Sequence, residues 1–273
     1  MGHALTRRMH RARVLTYHSG NDLDFRQLPD DLETVAAAGY RFIPLVALAR
    51  ALVERKFHEL PERAACLSFD DGIDADFVDL DHPHRGFQPS FYRIMREFAA
   101  RHPSATVHAT SFVIASTVAR ATIEERDMLG YPWMSDRWWQ PALASGYFHI
   151  GNHSWDHLSA TLDSVLQRDN CRGTFRCIDC EADADAQLVK SRRLIEMIAP
   201  NPATALFAFP YGEPSEYLVH DYLPGRADKH GVLAAFGVGT EPVHADSNRW
   251  CLPRIVCGVD WKERDNLRAL LAV

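Results

Sequence analysis

Residues 66–74 read CLSFDDGID. An apolar run stops abruptly at two adjacent carboxylates, Asp70 and Asp71, and then at Gly72. Burying one charge is unfavourable unless something pairs with it, and neighbouring carboxylates repel each other. A strand that ends this way implies compensating positive charge opposite its carboxyl end.

Strands and helices alternate outward from that stretch. Upstream, ARVLTYH (12–18) is apolar and β-branched and reads as a strand ending near His18. DDLETVAAAGY (30–40) has an Asp cap, helical apolar spacing and a closing Gly39. RFIPL (41–45) reads as a strand and VALARALVERK (46–56) as a helix. Downstream, SFYRIMREFAARH (90–102) is a helix capped by Ser90, and ATVHATSFVIA (105–115) is a strand. TIEERDMLG (122–130) and SDRWWQPALASG (135–146) have polar starts and glycine stops, as helices do. YFHIGNH (147–153) is a strand, and DADAQLVKSRRLIEMIA (183–199) is a long amphipathic helix. ALFAFPYG (205–212), AAFGVG (234–239) and RWCLPRIVCG (249–258) are late strands, and ERDNLRALLA (263–272) closes the chain as a helix. This alternation predicts an α/β fold with a largely parallel sheet, open or closed into a barrel.

The chain has 273 residues, 47% of them hydrophobic, and a formal net charge of -6. α/β barrels of about 200–250 residues fold as one domain. No linker-like tract, charge block or solenoid-period repeat interrupts residues 1–273, so one domain is expected. Its one long connection, IDADFVDLDHPHRGFQP (73–89), is polar and follows the carboxylate pair; long loops in compact domains are often functional. The acidic balance argues against a nucleic-acid partner. No apolar run approaches the roughly 20 residues of a membrane span. The basic N-terminal stretch lacks the apolar core of a signal peptide, so a cytoplasmic location is expected. Cys171, Cys177 and Cys180 fall in CRGTFRCIDC (171–180); its CxxC could bind zinc or cycle in redox chemistry, but without a second CxxC or a His pair at zinc-finger spacing free thiols are expected.

Reactive groups gather at the strand ends: His18, then Asp70-Asp71-Gly72, then GNHSWDH (151–157), then FPYG (209–212). In α/β folds, sites form at the carboxyl ends of parallel strands. His153 and His157 are four residues apart, which on a helix places them one turn apart on one face. Two imidazoles plus one carboxylate, with a coordination position left open, is a catalytic arrangement for zinc, iron or a related metal. Such a cation would also offset the carboxylate repulsion.

LSFDDG (67–72), HSWDH (153–157) and FAFPYG (207–212), in that order, resemble the first three motifs of the polysaccharide deacetylases, carbohydrate esterase family four. The resemblance runs from about residue 14 to the C-terminus. It implies a distorted (β/α) barrel of seven or eight mostly parallel strands and metal-dependent hydrolysis of an N-acetyl or related acyl group. It implies one divalent ion, zinc first, with cobalt or nickel as alternatives. Asp71, His153 and His157 would be the metal ligands, Asp70 the general base, and the Tyr211 backbone N–H an oxyanion donor. Two positions depart from the pattern. Ala208 stands where the third motif has the arginine that orients the base; Arg254 in LPRIV (252–256) is the candidate replacement, since a two-pronged guanidinium suits a carboxylate. The final L-x-H histidine is missing, whereas VLTYHSG (14–20) has one, which resembles a permuted branch whose last strand has moved to the front. His18 would then be the general acid.

The implied substrate is an N-acetylated sugar or oligosaccharide. A small, even cyclic, non-sugar amide is the alternative, and an inactive sugar-binding relative is a third. Trp133, Trp138 and Trp139 in YPWMSDRWW (131–139) are expected in the core, with sugar stacking as the alternative. His82 and His84, just after the base motif, are expected in a solvated loop, with lining of the cleft as the alternative.

Overall fold

A computed structural model describes residues 10–166 and 171–272; the basic first nine residues lie outside the described part. β3 (Arg63–Phe69) is the stretch that delivers the carboxylates. β1 (Arg11–Tyr17) pairs with it in parallel along its whole length. Its other edge is shared: β2 (Arg41–Phe42) pairs with the amino-terminal part, and β6 (Ala109–Val113) with the carboxyl-terminal part. β7 (Phe148–Asn152), β8 (Leu206–Ala208) and β9 (Ala234–Phe236) follow in parallel.

The ring is completed by an irregular stave. Leu252 N–H donates to the Ala235 carbonyl (2.8 Å), and Gly239 N–H donates to the Arg254 carbonyl (3.0 Å). The same segment then becomes β10 (Ile255–Val256), which pairs in parallel with β1. The sheet order β10-β1-β3-β6-β7-β8-β9 is thus a curled parallel sheet, an α/β distorted barrel. RWCLPRIVCG, expected as one strand, is regular only at Ile255–Val256, because its first half serves β9 and its second half serves β1.

Both faces of the barrel wall are buried, which explains the continuous apolar strands. On β3, Ala65, Leu67 and Phe69 face the outer core, shared with Leu28, Leu32 and Val35 of α1 (Asp22–Ala37) and Met95 and Phe98 of α3 (Phe91–Arg101). Ala64 and Cys66 face an inner cluster with Val14, Phe112 and Phe236. Period-two alternation then puts Ser68 and Asp70 on the inner face as well.

The helix read at 30–40 starts earlier, at Asp22, and carries Pro29 inside it. α2 (Leu45–Val53) follows Pro44, so RFIPL is a strand only at its first two residues. Ser90 caps α3 by accepting from Arg93 N–H (3.2 Å). α4 (Thr117–Asp127) is capped by Ser116 and begins before the stretch read as helical. α5 (Trp139–Ser145) ends on Gly146 at φ 76°. The long amphipathic helix divides into Glu181–Ala184, a π turn Asp185–Val189 and Lys190–Ile198.

The 73–89 segment has its own structure: a short turn at Asp74–Asp76 and an antiparallel hairpin of β4 (Leu80–His82) and β5 (Gly86–Gln88). Cys171 and Cys177 form a disulfide, which corrects the expectation of free thiols and removes Cys177–Cys180 as a metal pair. Cys180 is free and exposed. No helix among the described residues is long and apolar enough to cross a membrane.

Candidate active site

Asp70 is 4% exposed and extends the inner face of β3. Arg254, on the closing stave, meets it with two bonds: Nη1 to Oδ1 at 2.7 Å and Nη2 to Oδ2 at 2.8 Å. Arg254 is 1% exposed and is fixed by Nε donating to the Gly237 carbonyl (3.1 Å). Burial alone would raise the Asp70 carboxyl. The Arg254 charge, followed by His153, outweighs it and holds Asp70 well below the usual carboxylate range. One part of the charge compensation therefore comes from a residue 184 positions away, brought close by barrel closure.

Asp71 leaves the strand in the left-handed region, at φ 75°, and Gly72 follows at φ 72°. A Cβ on Gly72 would lie 2.7 Å from Val113 Cγ1, so only glycine fits there. This double turn swings Asp71 away from the side that strict alternation would assign it. Asp71 Oδ1 lies 3.7 Å from His153 Nε2 and 3.6 Å from His157 Nε2. These separations are too long for hydrogen bonds. They are near the roughly 3.4 Å edge of a tetrahedron built with metal–ligand bonds of about 2.1 Å. The three ligand atoms lie within 4.8 Å of one another, so this donor set fits a divalent cation.

The histidines reach that point from a loop after β7, not from a helix. Ser154, His157 and Leu158 have φ of 76°, 61° and 45°. Side chains hold these conformations. Asn152 Oδ1 accepts from Ser154 N–H (3.0 Å), Ser154 Oγ accepts from His157 N–H (2.9 Å), and Gln187 Nε2 donates to Asp156 Oδ1 (2.9 Å). His153 Nδ1–H donates to the Ala208 carbonyl at 2.9 Å, which leaves Nε2 as the free lone pair facing Asp71. Burial, and then the His153 ring, push His157 down to about 4, so it is neutral and able to ligate at pH 7.

Tyr211 stands in the PYG turn at φ 60°, and its ring packs edge-on against His157 at 4.5 Å. His18 lines a cavity of 570 Å³ together with Asp71. Its backbone N–H donates to Asp24 Oδ2 (2.6 Å), and its Nδ1 lies 3.9 Å from the same oxygen. The structure thus brings Asp70, Asp71, His153, His157, Arg254, Tyr211 and His18 to the carboxyl ends of the strands.

Sequence reading missed two carboxyls here. Asp24, fully buried in the first turn of α1, precedes the 30–40 stretch that reads as the helix. Asp76, also fully buried, accepts from Ser111 Oγ–H (2.5 Å). Burial, and further the charges of Asp71 and Asp70, push it up to about 8. It is therefore held as the neutral acid at pH 7 and adds no third negative charge.

Of the aromatic stretch, Trp138 and Trp139 are core, whereas Trp133 lines the cavity. His82 and His84 also line it: His82 is half-buried on β4, whereas His84 is exposed in the turn of the hairpin, as expected of a solvated loop.

A curled parallel barrel with a carboxylate and two imidazoles converging beside a clamped aspartate defines the class: an α/β barrel with a candidate catalytic site at the carboxyl ends of its strands. The sequence profile described as polysaccharide deacetylase matches residues 58–223, and the chain belongs to that family. Among solved structures, IcaB from Ammonifex degensii superposes with a TM-score of 0.66 at 18% identity, covering 97% of this chain and 98% of that one. A Streptococcus pyogenes deacetylase, PplD, in complex with acetate, gives 0.62 at 16% identity, covering 96% and 99%. A de-N-acetylase from Aggregatibacter actinomycetemcomitans gives 0.57 at 12% identity, covering 94% and 99%. No curated protein matches the chain in sequence.

Proposed function

We propose that the protein is a metal-dependent hydrolase that removes an acetyl group from an N-acetylated sugar or oligosaccharide. The observation that carries this reading is the Asp71, His153 and His157 donor set, placed beside an Asp70 that Arg254 keeps ionised. Asp71, His153 and His157 would hold one divalent ion, zinc first, cobalt or nickel otherwise. Such an ion, when bound, polarises an acyl carbonyl and lowers the pKa of water, from about 16 towards 7 at zinc in the best-known case.

The remaining steps belong to this chain's own groups. Asp70 takes the proton of the attacking water, and the Arg254 clamp fixes the direction in which its carboxylate points. The Tyr211 backbone N–H donates to the oxyanion. His18 gives a proton to the leaving nitrogen. Asp24 Oδ2 accepts from the His18 backbone N–H and lies near the ring, which helps to fix where His18 stands. Acetate and an amine leave. His18 directly follows the first strand, and β1 pairs with the closing stave, so a strand moved from the C-terminus to the N-terminus would keep its place in the ring. This supports the permuted order.

The disulfide Cys171–Cys177 weighs against the cytoplasmic reading, because such bonds persist in oxidising compartments. Elemental analysis of purified protein incubated with zinc, cobalt or nickel tests the proposal. One ion per chain is expected for wild type and none for His153→Ala. A wild type that holds no metal, or a His153→Ala variant that holds as much as wild type, overturns it.

A further inference from the structure

We infer that Cys171, Cys177 and Cys180 form an internal thiol–disulfide switch that sets how firmly the HSWDH and PYG loops are held. The exchange itself is independent of the deacetylase reading; its consequence for the metal ligands rests on that reading.

Cys171 is buried and bonded to Cys177, which is half-buried, whereas Cys180 is free and exposed. Two residues separate Cys177 from Cys180, the CxxC spacing at which thiol–disulfide oxidoreductases pair their cysteines. The more open sulfur of the bond is therefore also the one nearest in sequence to a free thiol. In the exchange the Cys180 thiolate attacks Cys177 Sγ, the Cys177–Cys180 bond forms, and the Cys171–Cys177 bond breaks. Cys171 leaves as the thiolate and takes a proton from water, in place of the one that Cys180 gave up. One disulfide and one thiol stand on each side, so the step needs neither oxidant nor reductant.

What the bond encloses gives the exchange its effect. The contacts that brace the loops of the site lie between the two bonded cysteines. Gly173 N–H donates to the carbonyl of Leu158 (3.1 Å), the neighbour of His157. Thr174 Oγ1–H donates to Glu213 Oε2 (3.0 Å), and Arg176 pairs with Glu213 Oε1 (3.1 Å), just beyond the turn that carries Tyr211. Phe175 is fully buried against Phe207 and Phe209. His157 and Leu158 hold left-handed conformations, φ 61° and 45°, which side-chain-bearing residues keep only when their surroundings impose them. A bond moved to Cys177–Cys180 encloses only Ile178 and Asp179 and no longer closes the loop over 172–176. The brace on Leu158, and with it the hold on His157, then loosens.

The test holds the oxidised full chain at pH 8 without reductant, quenches with acid, blocks thiols with N-ethylmaleimide and maps the peptides by mass. Trypsin cuts after Arg172 and Arg176, which separates Cys171 from a peptide holding both Cys177 and Cys180. At the start the label is expected on Cys180. With time it should appear on Cys171, together with an internal bond in the 177–190 peptide, and Cys180→Ser should abolish both. Cys171→Ser, oxidised with glutathione disulfide, should close Cys177–Cys180 and show faster amide hydrogen exchange at Leu158 than Cys180→Ser. It should also lose zinc to a chelator about tenfold faster, the lower end of what contacts behind a ligand contribute to metal affinity. A wild-type Cys171 that stays unlabelled, or a Cys171→Ser variant that folds but does not close the bond, overturns the switch. A closed variant whose Leu158 exchange and zinc loss both match Cys180→Ser overturns the coupling to the site. Label transfer and faster Leu158 exchange in a chain that binds no zinc leave the switch standing and overturn the metal reading instead.

Discussion

Asp70 and Arg254 form a buried ion pair in which each charge depends on the other. Removing one partner of such a pair costs about 3–5 kcal/mol, because the other is left desolvated and alone. Arg254→Ala is expected to lose stability of that order in urea denaturation and to lose most of its turnover. Arg254→Lys, which keeps the charge but not the two-pronged geometry, should fall between Ala and wild type. A second buried carboxyl, Asp31, accepts from Tyr17 OH (3.1 Å) and Trp261 Nε1 (2.8 Å) on one oxygen. Burial raises its pKa to about 6, against about 3.9 in an unfolded chain. Between these values the folded state binds more protons, so Asp31 lowers stability progressively as pH rises from 4 to 6. Asp31→Asn keeps the accepting oxygen and removes the charge. It should gain on wild type, by at most about 3 kcal/mol, at pH 7.5 but not at pH 4. Equal differences at the two pH values would refute the assignment. The positions of Asp70, Asp71, His153 and His18 were legible because each ends a strand, and strand ends in parallel sheets converge. Asp24 and Asp76 were not, since their roles depend on burial beside residues that local pattern does not place.

Between single residues and the barrel lie the loops that carry them. The HSWDH stretch has helical spacing but no helix, because Asn152 and Gln187 satisfy its backbone and side chains in left-handed turns. Gln187 belongs to a helix beyond the next connection, so no local rule shows this. The disulfide loop braces two motif loops at once. Gly173 N–H donates to the Leu158 carbonyl (3.1 Å), and Thr174 Oγ1 donates to Glu213 beyond the PYG turn (3.0 Å). Phe175 packs against Phe207 and Phe209 below them. Closing so short a loop stabilises by about 2 kcal/mol in the chain-entropy account. Cys177→Ser, or reduction by a small thiol, should lower stability by that amount and speed amide hydrogen exchange around Leu158 and Gly212. Unchanged exchange at both places would show that the loop braces neither.

The barrel as a unit explains why a site legible in fragments becomes one site. β3 leads into the two aspartates, β7 and β8 into the histidines and the PYG turn, β1 into His18, and the irregular stave carries Arg254. The alternation of strands and helices was readable because both wall faces are apolar. The stave was harder to read, since its hydrogen bonds divide between β9 and β1 and leave only two regular residues. In the function proposed above, a cation at Asp71, His153 and His157 and a base at Asp70 act together on an N-acetyl group. Acetate release from the N-acetylglucosamine trimer tests it most directly, measured on chelator-stripped protein before and after adding back zinc, cobalt or nickel, for wild type and Asp70→Asn. The expected result is no release when stripped, recovery on reloading, and release about 10²–10⁴-fold slower in Asp70→Asn at equal metal content. Release that persists in stripped protein, or a reloaded Asp70→Asn variant working at the wild-type rate, would contradict the claim.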